Sequence, residues 1–572
     1  MRQRVDLAIT NAFIYNSFLK KFIRGTLTIL DDKIYHIIKN PNEKFEADEK
    51  IDANGKYIIP GLIDIHMHIE SSMIAPLAFC EEAIKRGTTT LVSEPHEMAN
   101  VSGIEGIKAM IAEGDKTPLD VYYGIPSSVP STNSTLETSG AVISEKEMEM
   151  LYQLDSVKCV GEVMNYSEVI RENDLPITRF IKKLRENDKI FPIEGHCPSL
   201  LDEDLSRFLY LGINGDHTEH SIEELYQRFE SGMFVEIQMK LLRKEVIDLI
   251  RDNNLYEHFG FVTDDIMVDT LVNEGQLNNV LLKAVSLGES FENVIYNATF
   301  TNARRMNLLD RGYIAPGMKA DIVILDDINT FDVSKTIIGG KIVYEKEEKL
   351  DLGANTFDES YYHSVKIRKL KKEDIEIIPP ISNGKVKVRS IIVNDGSTKT
   401  QQEVRDVNVV DNKLLYREAG LMLIAVFNRY EKDCIKYSYG LVSGDCIKEG
   451  AVATTYSHDS HNLCVIADSI ENLLLVCNRV IELQGGIVTA LNNEITSELQ
   501  LNINGILSDQ KAPIVASKLS KVIEELRKQG YKHYSPIMSL CTLCLPVSPS
   551  LKISDKGLID VKEGKIVPLY IK

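Results

Sequence analysis

The chain runs to 572 residues, of which 44% are hydrophobic and 26% charged, with a formal net charge of −19. That length predicts roughly two to four domains of an ordinary globular protein. The acidic excess argues against a nucleic acid or an anionic membrane as partner, because phosphate binding needs clustered Lys and Arg. The N-terminus, Met1-Arg2-Gln3-Arg4-Val5-Asp6, has no apolar leader core. Nine cysteines in so long a chain form no disulfide framework. The expected compartment is therefore cytoplasmic, with Cys541 and Cys544 as core thiols.

In chain order, residues 1–57 alternate in short strand-like runs, among them Asp6–Thr10, Gly25–Leu30 and Lys33–Ile38. An apolar run then breaks at Pro60-Gly61, resumes as Leu62-Ile63-Asp64-Ile65 and ends on His66 and His68. From there to about residue 310 strands alternate with helical patterns, the signature of a parallel α/β fold. Candidate strands are Leu62–His68, Thr88–Ser93, Leu119–Ile125, Val157–Val163, Lys189–Gly195, Ile213–His217, Met233–Ile237 and Gly260–Thr263. Helical stretches lie between them, including Pro76–Arg86, Gly103–Glu113, Glu145–Leu154, Ile177–Asn187, Leu201–Leu209 and Ser221–Glu230. Eight strands in about 250 residues predict a (β/α)8 TIM-like barrel. A β-rich piece follows near 312–346, so the expectation is a small β-sandwich domain built from both flanks, residues 1–57 plus 311–350, around a catalytic barrel of 58–310. Beyond a charged segment at 350–375, residues 376–572 read as a C-terminal mixed α/β domain. The uncharged stretch Tyr534–Leu551 is interrupted by prolines, so a buried β segment is expected there in place of a membrane span.

The chemistry gathers where barrel enzymes keep their active sites, at the C-terminal ends of the strands. Alternate strand residues share a face, so the imidazoles of His66 and His68 point the same way. Strand two ends in Ser93-Glu94-Pro95-His96-Glu97, strand four in Glu162, strand five in His196, strand six in Asp216-His217 and strand eight in Thr263-Asp264-Asp265. Buried imidazoles and carboxylates need partners, and six such strand ends are hard to explain as packing. The set suits two divalent ions bridged by a carboxylate, with Zn, Mn or Fe as candidates. Such ions make water a nucleophile at neutral pH, and Asp264 would bind metal and shuttle a proton. His220 competes with His217, and Asp265 with Asp264.

Several strings carry a resemblance. They are P-G-L-I-D-I-H-M-H-I-E-S-S-M (60–73), G-T-T-T-L-V-S-E-P-H-E-M-A-N-V (87–101), G-E-V-M-N (161–165), E-G-H-C-P (194–198), G-D-H (215–217), T-D-D (263–265) and H-D-S-H-N (458–462). Together they resemble the bacterial adenine deaminases of the metal-dependent amidohydrolase superfamily, over nearly the whole chain. The resemblance implies His66, His68, His196, His217 and Asp264 as metal ligands, with Glu162 as their bridge and Asp264 and Glu162 as the catalytic pair. It places Glu70, Ser71, Ser72 and His96 on the substrate side. It also implies two divalent ions, Mn or Fe in this family with Zn as a further candidate, and hydrolysis of adenine to hypoxanthine and ammonia in purine salvage. A small-molecule purine is then the partner, and the third domain predicts a homo-oligomer.

The chain departs from the family at the barrel mouth. Glu94 stands where an aspartate is usual, Thr218 separates His217 from Glu219, and strand seven leads into Glu236-Ile237-Gln238-Met239-Lys240 in place of an Arg-Glu-Gly-Ser-like string. Another aminopurine, a cyclic amide, or purine binding without turnover are therefore alternative readings. His458-Asp459-Ser460-His461-Asn462 fits a regulatory metal site, a closure over the active site of its own or a neighbouring subunit, or a hydrogen-bonded turn that docks its domain.

Overall fold

Strands β1 (Leu62–Met67), β2 (Thr88–Ser93), β3 (Asp120–Ile125), β4 (Val157–Val163), β5 (Ile193–Gly195), β6 (Gly215–Asp216), β7 (Phe234–Ile237) and β8 (Phe259–Phe261) pair side by side in chain order, all parallel. The computed structural model describes residues 4–40, 42–171, 174–432 and 434–571, so Met1–Gln3 of the N-terminal stretch lie outside the described residues. Every position of β1 and β2 is buried, as a parallel sheet covered by helices requires. Local sequence starts several covering helices: Ser144 with Glu147 and Ser221 with Glu224 form capping boxes at Glu145–Tyr152 and Ile222–Glu230.

The seam between β1 and β8 has its own fastening. Asp264 N–H donates to His66 O at 3.0 Å, and Met67 and Asp264 form an isolated parallel bridge. From the helix Phe291–Arg305, the Asn302 side-chain amide donates to Ile63 O at 2.7 Å and to Phe261 O at 2.8 Å. Gly260 leaves room for this, since a Cβ there would lie 1.8 Å from Asn302 Oδ1. The result is a nearly closed eight-stranded barrel.

Strands from both flanks join one eight-stranded sheet. Tyr57–Pro60 pairs antiparallel with Ile322–Asp327 and parallel with Arg4–Asn16. Ile9, Ile14, Leu27, Ile29, Ile58, Ile322 and Ile324 share its core. Because Tyr57–Pro60 runs through Gly61 into β1, this sheet braces the strand that ends on the H-x-H pair.

A ten-stranded sheet occupies residues 384–500 with Tyr570–Ile571 at one strand, and the helix Ile470–Leu483 packs Leu473, Val476 and Val480 on Leu423, Val465 and Val488. It is joined to the barrel side by backbone bonds from Ser508 N–H to Met73 O at 2.8 Å and from Ala75 N–H to Ser508 O at 3.2 Å.

Two local expectations need correction. Residues 534–551 are not a β segment: Pro536–Cys541 is an α-helix with proline in its first turn, and Thr542–Cys544 continues as 3-10 helix. Pro at N1 favours helix initiation, and apolar runs of this length do not by themselves separate buried strand from buried helix. The helix read as starting at Gly103 begins at His96, and Gly103, at φ 62° and ψ −149°, interrupts two helical pieces instead of starting one. Cys541 and Cys544 are buried free thiols. Among the described residues, no helix is long and apolar enough to cross a membrane.

Glu137, in the loop after β3, gives this fold a pH dependence. Its Oε1 accepts from Ser131 Oγ at 2.9 Å and Thr132 N–H at 2.8 Å, and burial pushes its carboxyl from 4.5 up to about 7. Between those values the unfolded chain releases a proton that the folded chain keeps, so stability falls as pH rises through this window, by at most about 3 kcal/mol. Glu137→Gln should remove that term. Chemical denaturation from pH 4.5 to 7.5 should show the variant gaining on the parent chain as pH rises; a constant difference would contradict the assignment.

Candidate metal centre at the barrel mouth

The C-terminal strand ends bring six side chains together. His66 Nε2 and His68 Nε2 face Asp264 Oδ1 at 4.0 and 3.6 Å. Glu162 Oε2 faces His196 Nδ1 at 2.8 Å and His217 Nε2 at 3.2 Å, while its Oε1 lies 3.7 Å from His68 Nε2. The rings of His66 and His217 stack at 3.9 Å between centroids. Glu162 thus reaches both halves of the cluster. Short strands make this convergence possible: β5 and β6 end at Gly195 and Asp216, so the next residues turn His196 and His217 into the mouth.

Surrounding groups orient these side chains. His68 Nδ1 donates to Glu94 O at 3.1 Å, which turns its Nε2 toward Glu162 and Asp264. His66 Nδ1 faces Glu236 Oε2 at 3.3 Å, and its Nε2 has no hydrogen-bond partner. Glu94 Oε2 accepts Glu162 N–H at 2.6 Å. That approach needs Gly161, where a Cβ would stand 2.2 Å from the Glu94 carboxylate. Asp264 occupies the left-handed region at φ 56°, and its Oδ2 accepts the Gln238 amide at 2.6 Å.

Burial raises the cost of every charge here. It would lift Glu162, but His196 and His217 outweigh it and hold that carboxyl well below its usual range. Asp264 is likewise held far down, by His68, His217 and Lys240 against its own burial. Glu94, by contrast, is pushed up to about 8 by burial and then by the Glu162 charge. Two ionised carboxylates therefore stand among buried imidazoles. Four imidazoles, two carboxylates and the unpartnered His66 Nε2 are of the residue types that bind a divalent transition ion. Three overlapping triads, His66 with Glu162 and His217, His66 with His68 and Asp264, and His68 with His96 and Glu162, could hold one.

His220 is drawn elsewhere. Its Nε2 meets Asp216 Oδ2 at 2.5 Å, where Arg228 Nε also donates at 2.7 Å, in a fully buried ion network behind the cluster. Asp265 accepts from Ser71 Oγ at 2.5 Å while lining the cavity. Of the four residues expected on the substrate side, only His96 lines the cavity. Glu70, Ser71 and Ser72 are buried behind it in the 3-10 turn Ile69–Ser72; Glu70 Oε1 accepts Met98 N–H at 3.3 Å and Ser72 Oγ donates to Ile69 O at 2.5 Å. Glu70 thus bonds the helix His96–Gly114 and Ser72 bonds within its own turn, positions that strand-end reasoning does not distinguish from ones lining the cavity.

The cavity, of about 170 Å³, is completed by the C-terminal region through Thr398, Lys399, His458, Asp459, Met538 and Thr542. The H-D-S-H-N turn belongs to the same chain and meets the helix after β2: His458 Nδ1 lies 2.6 Å from Glu97 Oε1, and His461 Nε2 contacts Glu97 Oε2. Sequence reasoning missed Glu97 as the meeting point, Gln238 as the partner of Asp264, and the apolar wall from Met538 to Pro549. The spacing between β2 and residue 458 carries no periodic signal that could pair them.

Comparison with known proteins places these observations in a family context. The amidohydrolase family model matches residues 57–343, and the adenine deaminase C-terminal domain model matches residues 397–565. The chain is 46% identical over 572 residues to an adenine deaminase of Clostridium perfringens, covering 99% of this chain and 100% of the relative. It is 41% identical over 570 residues to adenine deaminase 2 of Shouchella clausii, covering 99% of each. Among solved structures, a β-aspartyl dipeptidase of Fervidobacterium islandicum (20% identical, TM-score 0.46) and an adenine deaminase (18%, 0.44) each align with 60% of this chain and 100% of their own.

The two histidines near β6 separate by experiment. His217→Ala should lower bound divalent metal, read by elemental analysis, whereas His220→Gln should keep it and reduce stability by roughly 1–3 kcal/mol through the Asp216 network. Equal metal loss in both would remove the distinction.

Proposed function

Because the chain belongs to the adenine deaminase family, we propose that it hydrolyses adenine to hypoxanthine and ammonia at the cluster of His66, His68, Glu162, His196, His217 and Asp264. The observation that carries the reading is the convergence of two carboxylates and four imidazoles at the end of one cavity. His66, His68 and Asp264 would hold one divalent ion, His196 and His217 a second, with Glu162 between them. The all N/O donor set accepts Mn or Fe, and Zn as well. When bound, such a pair supplies the Lewis acidity that brings a water's pKa toward neutrality.

The chain's own residues supply the rest. Asp264 takes the proton from the nucleophile and returns it to the amino nitrogen as the C6–N bond breaks and the C6–O bond forms. The Gln238 amide on Oδ2 leaves Oδ1 facing His66 and His68, and Lys240 Nζ, 3.9 Å from Oδ2, keeps the carboxylate ionised before turnover. His96 and the residues contributed from the C-terminal region exclude bulk water and enclose a small planar substrate. In this division, residues 58–310 carry the catalysis, 1–57 with 311–350 brace it, and 376–572 finish the mouth.

A second reading, hydrolysis of another aminopurine or a cyclic amide, is motivated by the string Glu236-Ile237-Gln238-Met239-Lys240, which departs from the family pattern at the mouth. Steady-state assays of the Mn-loaded full chain against adenine, other purines and lactams decide between them; adenine should be best by a wide margin, and no turnover of it by fully metallated protein would defeat the proposal. Asp264→Asn should lower kcat by about 10²–10⁴-fold with the fold retained by circular dichroism; more than a tenth of parental activity would contradict its role. Glu162→Gln should lower metal content below that of the parent chain, and undiminished occupancy would count against a bridging carboxylate.

A further inference from the structure

A second cluster of ligand-bearing side chains lies beside the first, and it is made by two distant parts of the chain. His96 and Glu97 open the helix after β2, and His458 and Asp459 come from the turn in the C-terminal region; one ligand atom from each lies within 4.8 Å of all the others. All four residues are buried, Glu97 and Asp459 almost completely. Their polar atoms are nevertheless short of partners. Both oxygens of Glu97 are met by imidazoles, His458 Nδ1 at Oε1 and His461 Nε2 at Oε2, whereas His458 Nε2 and Asp459 Oδ2 have no hydrogen bond. Leaving such groups unpaired in an interior costs about 1–3 kcal/mol each.

The spacing is that of ligands around a common ion. His96 Nε2 lies 3.7 Å from Glu97 Oε1 and 3.9 Å from Asp459 Oδ1, and His458 Nδ1 lies 3.5 Å from Asp459 Oδ1. These separations are at or beyond the limit for hydrogen bonds. Ligands about 2.1 Å from one tetrahedral ion stand about 3.4 Å apart. The His458–Glu97 pair, at 2.6 Å, has to open. A neighbouring histidine orients the glutamate: Ser457 N–H donates to His461 Nδ1 at 3.3 Å, which puts the ring proton on Nε2, the atom that contacts Glu97 Oε2.

We infer that His96, Glu97, His458 and Asp459 form a further divalent transition-metal site that fastens the H-D-S-H-N turn to the barrel. It is distinct from the cluster around Glu162 but close to it, since His96 Nδ1 faces Glu162 Oε1 at 3.8 Å and the two share the cavity wall. An ion there adds coordination to the imidazole–Glu97 contact that already docks the turn, and it fixes His458 and Asp459 in the cavity wall.

The test counts metal instead of turnover. The expected total rests on the two-ion reading of the first site, but the difference between parent and variants does not. The full chain, stripped with chelator, reloaded with Mn²⁺ and desalted, should retain three equivalents, and Glu97→Gln and Asp459→Asn should each retain one fewer. Crystals of the Mn-loaded parent should show an anomalous peak among these four residues, which decides the matter even where a variant fails to fold. Two equivalents in the parent, unchanged content in both folded variants, or no peak at this position would overturn the inference. Absence of adenine turnover in a protein holding the third ion would strike the proposed function and leave this site standing.

Discussion

Desolvation of charge at one end of the barrel is the constraint on which the rest of the molecule depends. Moving an ionised carboxylate out of water costs several kcal/mol even after relaxation, and Glu162, Asp264 and Glu97 are all buried. Each is held ionised by imidazoles set around it. Glu94, equally buried but facing the charge of Glu162, goes the other way and keeps its proton. Neighbouring carboxylates are thus divided into ionised groups and a protonated, hydrogen-bonded support by what surrounds them.

That demand explains features which look incidental in isolation. Gly161 and Gly260 carry no side chain on their strands because Glu94 and Asn302 occupy the space a Cβ would take. The left-handed backbone at Asp264 turns its carboxylate back toward β1 just after the chain has bonded to His66 O. The Asp216, Arg228 and His220 network braces the segment carrying His217 from behind without entering the cluster.

The C-terminal region belongs to the mouth. Its sheet has its own apolar core, yet His458, Asp459 and the helix Pro536–Cys541 with its following turn complete the cavity and meet Glu97. The apolar wall from Met538 to Pro549 and the polar pair at 458–459 face the cluster from the side opposite the strand ends, so substrate space is enclosed by residues more than 300 positions apart, as the Thr138–Asn462 contact also illustrates.

Local sequence determined much of this protein. Burial of alternating strands and helices, the period-two placement of His66 and His68, and ligand-type residues at successive strand ends were legible because each depends on neighbours a few positions away. Strand ends of β1 to β8 fall within a few residues of those read from the pattern. Only the tertiary structure separated His217 from His220, moved Glu70, Ser71 and Ser72 behind the cavity, made residues 536–544 helical, and joined residue 97 to residue 458. Those outcomes are decided by which buried charge finds which partner across the fold, and no one-dimensional spacing encodes that choice.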